Sequence, residues 1–290
     1  MDTNVVLFNL FEFPSYLKYC ISQIKYHSPN TKVHLISDKN IQSADGVEVY
    51  HVNQFATTVI LSNSNIRYFQ DNQVKEHREL FFSSALRFLY IEELVRNLNL
   101  VNVFTFDNDV LIYNNLEDIA CSIPEDRGFA ITQALDDELI CGMTYFRSPD
   151  DLVEIAGDFM HMFDYTESEL VKILGSNIKG KQPNEMCLLN LISNKRNINK
   201  YIFPSIPESA MSNQLFDPIS YGQYLSGRSG VGDDSFVDEN HYIGDLIKQK
   251  KLTCHFNRES KTPYVQNKYG EFALNNLHVH GKNLKDFISY

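Results

Sequence analysis

Short apolar runs alternate with amphipathic stretches through the first third of the chain, and that alternation predicts a βαβ start. Val5-Val6-Leu7-Phe8 is an unbroken apolar run of strand length, the pattern of a strand buried on both faces. Residues 14–27, with Pro14 in the first turn, predict a helix. Thr31 to Asp38 predicts a second strand, ending in an acid. Strand, helix and strand this close together make a parallel pair, and ligands gather at the C-terminal ends of parallel strands. Asn9 and Asp38 close the two strands. Each is a residue that such a crevice exposes, or simply a turn residue. Val47 to Val52 alternates and predicts a third strand, and the polar residues 61–79 predict a loop or lid.

Leu80 to Val95 predicts a strong helix. At about 100° per residue, Glu92, Glu93 and Arg96 form its polar face, while Arg87 stands with Ile91 and Leu94 on the apolar side. An inward arginine needs an anion, either a structural carboxylate or a ligand phosphate. The run that follows, Phe104-Thr105-Phe106-Asp107-Asn108-Asp109-Val110-Leu111-Ile112-Tyr113, is the strongest local anomaly in the chain. A buried strand delivers two carboxylates one residue apart and turns apolar again. In an extended chain both point to one face. Charges there cost several kcal/mol unless paired or metal-bound. Two hard oxygen ligands suit Mg²⁺ or Mn²⁺ holding a phosphorylated ligand, although Asp and Asn also favour ordinary turns.

Further on, Phe129 to Thr132 and Met143 to Phe146 predict strands on either side of an acidic loop, Asp136-Asp137-Glu138. Residues 150–174 predict one amphipathic helix ending at Gly175. Lys179 to Pro183 predicts a loop feeding a helix that begins at Asn184-Glu185. Glu185 then either favours the helix dipole or faces a substrate. Tyr221 to Gly232, with Gly222, Gly227, Gly230 and Gly232, predicts a mobile loop, and it lacks the GK[ST] of a P-loop. The chain closes on Leu277-His278-Val279-His280-Gly281-Lys282. If this is extended, His278 and His280 share a face, and a glycine lets backbone approach a ligand closely, as in a metal and diphosphate element.

Composition narrows the classes. With 43% hydrophobic and 22% charged residues among 290, the chain is ordinary globular material and can bury a sizeable core. A formal charge of −11 argues against a nucleic-acid binder but not against a small phosphate-bearing ligand. Five scattered cysteines (Cys20, Cys121, Cys141, Cys187, Cys254) predict free thiols in a reducing compartment. No basic region precedes the first strand and no apolar window approaches about 18 residues, so the expected setting is cytoplasmic, without a transmembrane segment.

Taken together these residues resemble a GT-A-fold, nucleotide-sugar-dependent glycosyltransferase. Four features carry the resemblance, in that family's order: the N-terminal βαβ, the Arg87 helix, Asp107-Asn108-Asp109 as its DxD motif, and His278-Val279-His280-Gly281 with Lys282. The group containing glycogenin and bacterial lipopolysaccharide galactosyltransferases ends in HxxGxxKPW. His278 and Gly281 match its first half, while Lys falls at 282 and 285 and Pro-Trp is absent, the chain having no Trp. The resemblance implies an α/β fold with a GT-A-like (Rossmann-like) mixed sheet, mostly parallel and flanked by helices. It implies a single domain spanning 1–290, with a nucleotide-binding half, 1–113, and an acceptor-binding half, 114–290.

It also implies roles. Asp107 and Asp109 hold Mn²⁺ or Mg²⁺ against the donor diphosphate, with His278 or His280 as third ligand. Asn9 meets the base, and Arg87, Gly281 and Lys282 meet the donor's phosphates or sugar. Glu185 lies beside the transferred sugar, and Asp136, Asp137, Glu138 and Glu185 are candidate catalytic carboxylates. The implied reaction is hexosyl or pentosyl transfer from a nucleotide-sugar, UDP-linked, to a glycan or other hydroxyl acceptor. Two alternatives stay open. A haloacid-dehalogenase-like phosphatase also carries DxD, and Gly232 to Asp238 resembles its later acidic motif. That fold opens on its DxD strand, however, whereas 106 residues precede Asp107 here. The other alternative is a nucleotide-sugar binder without activity.

Overall fold

The computed structural model describes residues 2–11, 13–43, 46–63, 75–175, 183–207, 214–227 and 232–290. Strand β1 (Asn4–Asn9), helix α1 (Leu17–His27) and strand β2 (Lys32–Ser37) form the expected βαβ unit, with β1 and β2 parallel and Val5 in register with Val33. Strand β3 (Val47–His51) continues outward from β2. Helices α2 (Ala56–Asn63) and α3 (Lys75–Leu98) return the chain to β4 (Val103–Phe106), which lies on the other side of β1. The chain therefore reverses direction across the sheet between β1 and β4. Such a switch point opens a crevice at the strands' C-terminal ends.

After β5 (Val110–Ile112) and α4 (Leu116–Ser122) come the paired strands β6 (Phe129–Leu135) and β7 (Glu138–Phe146). Helices α5 (Asp150–Met162), α6 (Glu167–Leu174) and α7 (Glu185–Lys195) then lead to strand β8 (Lys200–Ile202). The central sheet has seven strands in the order β3-β2-β1-β4-β7-β6-β8. Four of its six pairings are parallel, with β7 antiparallel to both β4 and β6. The architecture is thus a mixed, mostly parallel sheet flanked by helices. The last third adds α8 (Ser220–Ser226), α9 (Tyr242–Lys248), an antiparallel sheet of β9 (Thr253–Asn257), β10 (Thr262–Asn267) and β11 (Gly270–Ala273), and a short β12 (Asn276–His278).

The sheet divides two apolar cores. On β1 and β2, Val5, Leu7, Val33 and Leu35 face one core with α1, β5 and α8, while Val6 and Ile36 face the other with α3, α5 and α7. That period of two is the strand's own geometry. Phe104 and Phe106 are both within 2% of full burial, each contributing about 2–3 kcal/mol. They anchor the strand that carries the acidic pair.

Several expectations are corrected. Residues 61–63 continue α2, and 75–79 already belong to α3. The remainder of the loop predicted over 61–79 lies outside the described residues. The single helix predicted over 150–174 is two, because Thr166 caps a new one. Its hydroxyl accepts from Glu169 N while the Glu169 carboxylate accepts from Thr166 N, a capping box already spelled Thr-Glu-Ser-Glu. Asp136 and Asp137 alone form the turn between β6 and β7, and Glu138 is a buried strand residue. In the glycine-rich stretch, 221–226 is the helix α8 rather than a loop, while 228–231 lies outside the described residues, as do 179–182. All five cysteines are free thiols. Among the described residues no helix is long and apolar enough to cross a membrane.

Candidate metal and donor site

The acidic pair sits where β4 leaves the sheet. Val110 N donates to Asp107 O at 3.0 Å, closing a tight turn, and Asn108 Nδ2 reaches across to Phe8 O (3.1 Å) and Asn9 Oδ1 (3.2 Å). That bridge fastens the ends of β1 and β4 together. The chain then runs into β5, which pairs antiparallel with β12 and sets Val110 opposite His278. Val279 N donates to Asp109 O at 2.9 Å. A ladder spanning most of the sequence thus delivers a histidine to the two carboxylates.

Asp107, Asp109 and His278 each offer one ligand atom, and these atoms lie within 4.8 Å of one another. His278 Nε2 is 3.1 Å from Asp109 Oδ1 and 3.8 Å from Asp107 Oδ2. Lys282 Nζ donates to the other Asp109 oxygen. Burial acts to raise Asp109, but the charges and hydrogen bonds of His278 and Lys282 outweigh it and hold the carboxyl well below its ordinary range. Burial acts to lower His278, and the Asp109 and Asp107 carboxylates overcome it, leaving the imidazole raised. The cluster therefore attracts positive charge. Two carboxylates and an imidazole are a donor set that suits Mn²⁺ or Mg²⁺.

Arg87 projects from α3 into the same place, buried, and donates to Asp107 Oδ1; its other terminal nitrogen is 3.9 Å from Glu185 Oε1. The inward arginine has found two carboxylates. Glu185 opens α7, whose N-cap Asn184 accepts from Cys187 N at 3.0 Å. Burial, aided by the nearby Asp107 charge and opposed by Arg87, pushes Glu185 up to about 7.

These residues line a cleft of about 570 Å³ that also includes Asn9, Tyr16, Cys141, Gly142, His280 and Lys282. Buried polar atoms without a hydrogen-bond partner are rare in folded proteins. Among the described residues thirteen buried side-chain atoms lack one, and five of them, Asn9 Nδ2, Asn108 Oδ1, Glu185 Oε2, His278 Nδ1 and His280 Nδ1, belong to residues lining this cleft. Their unused capacity fits a polar, metal-bearing ligand.

Other predicted residues sit elsewhere or play a different part. His280 lines the cleft but is not in the three-residue cluster: its N donates to His278 O at 2.8 Å, so the chain turns at Val279 and the shared extended face is lost. Its ring lies edge-on to Phe236, and burial, with His278 and Lys282, lowers it to about 4. Gly281 does not line the cleft. A Cβ there would stand 2.8 Å from the carbonyl oxygens of Ser226 and Gly227, so this glycine lets the chain pass close to the end of α8. Asp137 stays in its hairpin turn and is not among the residues that line the cleft. Asp233, Asp234 and Asp238, the acids of the later motif, do not line the cleft either.

Asp217, Gly142 and Ile219, which the sequence reading passed over, shape the site together with Gly222, which lies in the stretch predicted as a loop. The buried Asp217 carboxylate accepts from His278 N (2.9 Å), Tyr221 N (3.0 Å) and Gly222 N (2.9 Å), tying β12 to the start of α8. Burial still pushes Asp217 up to about 6. A side chain on Gly222 would collide with the His278 carbonyl oxygen. A Cβ on Gly142 would stand 2.7 Å from His278 Nδ1, so β7 makes room for the imidazole by having no side chain there. Between Asp217 and α8, Ile219 has φ of 83°, a conformation a β-branched residue adopts only under strain. The local signals for this were Asp217-Pro218 ahead of a helix and Gly222 within the glycine-rich stretch.

No protein-family model matches the chain, and no curated protein does. Among solved structures it is similar to the galactosyltransferase LgtC in complex with donor and acceptor sugar analogues, at 14% identity over 72% of this chain and 79% of that one, with a TM-score of 0.41. It is similar to mouse xyloside xylosyltransferase 1, at 8% identity over 74% and 88% with a TM-score of 0.46. It is also similar to the bifunctional glycosyltransferase WbbM, at 14% over 86% and 44%, with a TM-score of 0.43.

Proposed function

We propose that the protein is a metal-dependent glycosyltransferase of the GT-A type, moving a sugar from a UDP-linked donor to a hydroxyl acceptor. The observation that carries this reading is the convergence of Asp107, Asp109 and His278 in a cleft at the switch point of the sheet. A cleft of about 570 Å³ has the volume of a small-ligand site, and it lies where α/β folds bind ligands.

In this reading the metal, held by Asp107, Asp109 and His278, supplies charge neutralisation to a departing nucleoside diphosphate. Lys282 adds a cation on the same side, and Arg87 holds Asp107 in place. Asn9, with an unused amide N–H at the end of β1, is the group offered to the nucleotide base. Glu185, whose carboxyl titrates near 7, lies beside the transferred sugar and can hold or release a proton there. Residues 1–113 then contribute the nucleotide side, and 114–290 the acceptor side together with the C-terminal metal and diphosphate element.

The test is thermal stability against UDP-, GDP-, ADP- and TDP-sugars with and without Mn²⁺. A ligand that binds only the folded state raises the melting temperature by mass action, by about 2.7 kcal/mol of stability at a hundred times its Kd. A Mn²⁺-dependent shift with UDP-sugars, followed by transfer to a hydroxyl acceptor, is the expected result. No shift with any nucleotide-sugar, together with hydrolysis of a generic phosphomonoester, would replace this reading with the phosphatase one.

A further inference from the structure

The chain carries a net −11, yet the stretch from α9 through β11, Tyr242–Ala273, holds six Lys and Arg against three acids. The local balance is therefore positive in a chain whose overall balance is negative. The same stretch forms most of a second cavity of about 520 Å³, nearly the volume of the metal cleft and sharing no residue with it.

The cavity's chemistry divides into three parts. Lys250, Lys251 and Lys268 supply cations, and among the described residues that line it there is no carboxylate. Thr253 and Gln266, in register across the β9–β10 pair, supply neutral donors and acceptors together with Asn267. Leu246 and Leu252 supply apolar wall. The lysines are delivered by a tight reversal at the end of α9: Lys250 has φ of 58°, and Lys251 N and Leu252 N both return to Leu246 O. A left-handed lysine is a conformation that glycine or asparagine would adopt more cheaply. Lys250 is tethered by Asp234 from outside the cavity, while Lys251 is exposed beside it.

We propose that this cavity is a binding site for a phosphorylated polyol, with Lys251 and Lys268 on the phosphate, Thr253, Gln266 and Asn267 on the hydroxyls, and the leucines under the carbon skeleton. Lysine is a point-charge binder of phosphate, and neutral side chains in register read hydroxyls without adding charge. The phosphate can come from a free sugar phosphate or from an inositol-type lipid headgroup; both present this chemistry. The proposal stands apart from the transferase reading, because none of these residues belongs to the metal cleft.

The experiment is calorimetric titration with glucose 6-phosphate in EDTA, so that no metal occupies the cleft, with glucose as the neutral control. Binding that weakens with salt and that glucose does not reproduce is expected. Combining Lys251→Glu with Lys268→Glu lowers the affinity at least about ten-fold. Lys282→Ala, which removes the cation of the metal cleft, leaves it in place. The neutral pair Lys251→Gln and Lys268→Gln gives a smaller loss and keeps the test valid if charge reversal harms folding. Cosedimentation with phosphatidylcholine vesicles, with and without phosphatidylinositol, identifies the source. Lysine-dependent retention on the inositol vesicles assigns a lipid headgroup, and binding in solution alone assigns a free phosphate. The proposal is overturned by absence of binding in both formats, by binding that survives the lysine variants, or by binding that Lys282→Ala abolishes.

Discussion

The two walls of the metal cleft are built in opposite ways. On one wall, Asp107, Asn108 and Asp109 are consecutive residues in the tight turn that follows the buried strand β4, and that turn is bridged to the end of β1. On the other, His278 ends the short strand β12 and Lys282 follows in a turn, and His278 is further held by the buried Asp217 carboxylate and given room by Gly142 and Gly222, all distant in the chain. The first wall is presented locally, by one turn on a core strand. The second adds to its strand pairing buried contacts from distant residues, so it has supports that can be removed without touching a ligand.

The largest effect comes from breaking the wall that carries the two carboxylates. Asp109→Asn is expected to weaken Mn²⁺ binding by more than about 100-fold, beyond what losing an outer-shell partner costs. Calorimetry or Mn²⁺ electron paramagnetic resonance reads this without an assay of transfer. Undiminished affinity would remove Asp109 from the ligand set. The variant also changes the acid response. A depressed carboxyl contributes stability above its ordinary value of 3.8, and that contribution disappears as pH falls through the folded-state value. Wild type therefore loses stability below about pH 4 more steeply than Asp109→Asn, in thermal melts across that range.

Next is the room made for the histidine. Gly142→Ala puts a methyl at 2.7 Å from His278 Nδ1, and either the ring or β7 must move. About ten-fold weaker Mn²⁺ binding is expected, with far smaller change in the melting temperature. Unaltered affinity would mean that the ring finds another rotamer with Nε2 still on target. Smaller again is Asp217→Asn, which keeps one acceptor oxygen and loses the second. A few-fold loss of Mn²⁺ affinity is expected, with the ligands themselves intact. If Asp217→Asn cost as much as Asp109→Asn, the contrast between the two walls would collapse, and both would be equally dependent on buried support.

This contrast also explains what the sequence disclosed. A carboxylate pair inside an apolar run is an anomaly visible within ten residues, so Asp107 and Asp109 were legible, as were β1, α1 and β2 from their own periodicity. Arg87 was legible as an inward charge, but its partners come from β4 and α7, and nothing local chooses between carboxylate and phosphate. His278 was legible only as one of two histidines. The turn at Val279 separates them, and it depends on Val279 N reaching Asp109, far away in sequence. Asp217 meets His278 across 61 residues and Gly142 meets it across a wider gap still. Gly142 has no pattern of its own, and Asp217 has only the Asp-Pro ahead of α8. The break at Thr166 differs, since its capping box was written locally and the longer amphipathic pattern masked it.

The smallest expected effect on the metal, and the finest test of where the first wall ends, is Glu185→Gln. Glu185 lies beside Arg87 but outside the ligand set, so Mn²⁺ affinity should stay within about two-fold. Stability should respond instead, with a definite sign. The carboxyl's ordinary value is 4.5 and the folded protein raises it to about 7, mainly by burial. Between those values the unfolded chain has released the proton and the folded chain retains it, so each pH unit costs the fold up to about 1.4 kcal/mol. The cost is absent below the unfolded value and complete above the folded one. Glu185→Gln escapes it. The variant should melt several degrees above wild type at pH 8 and match it at pH 4. Equal melting at both pH values would show the carboxyl ionised in the fold, held by Arg87 as a structural partner in the manner of Asp107. The first wall would then extend through Arg87 to α7, and Glu185 would lose its claim to a proton near neutrality.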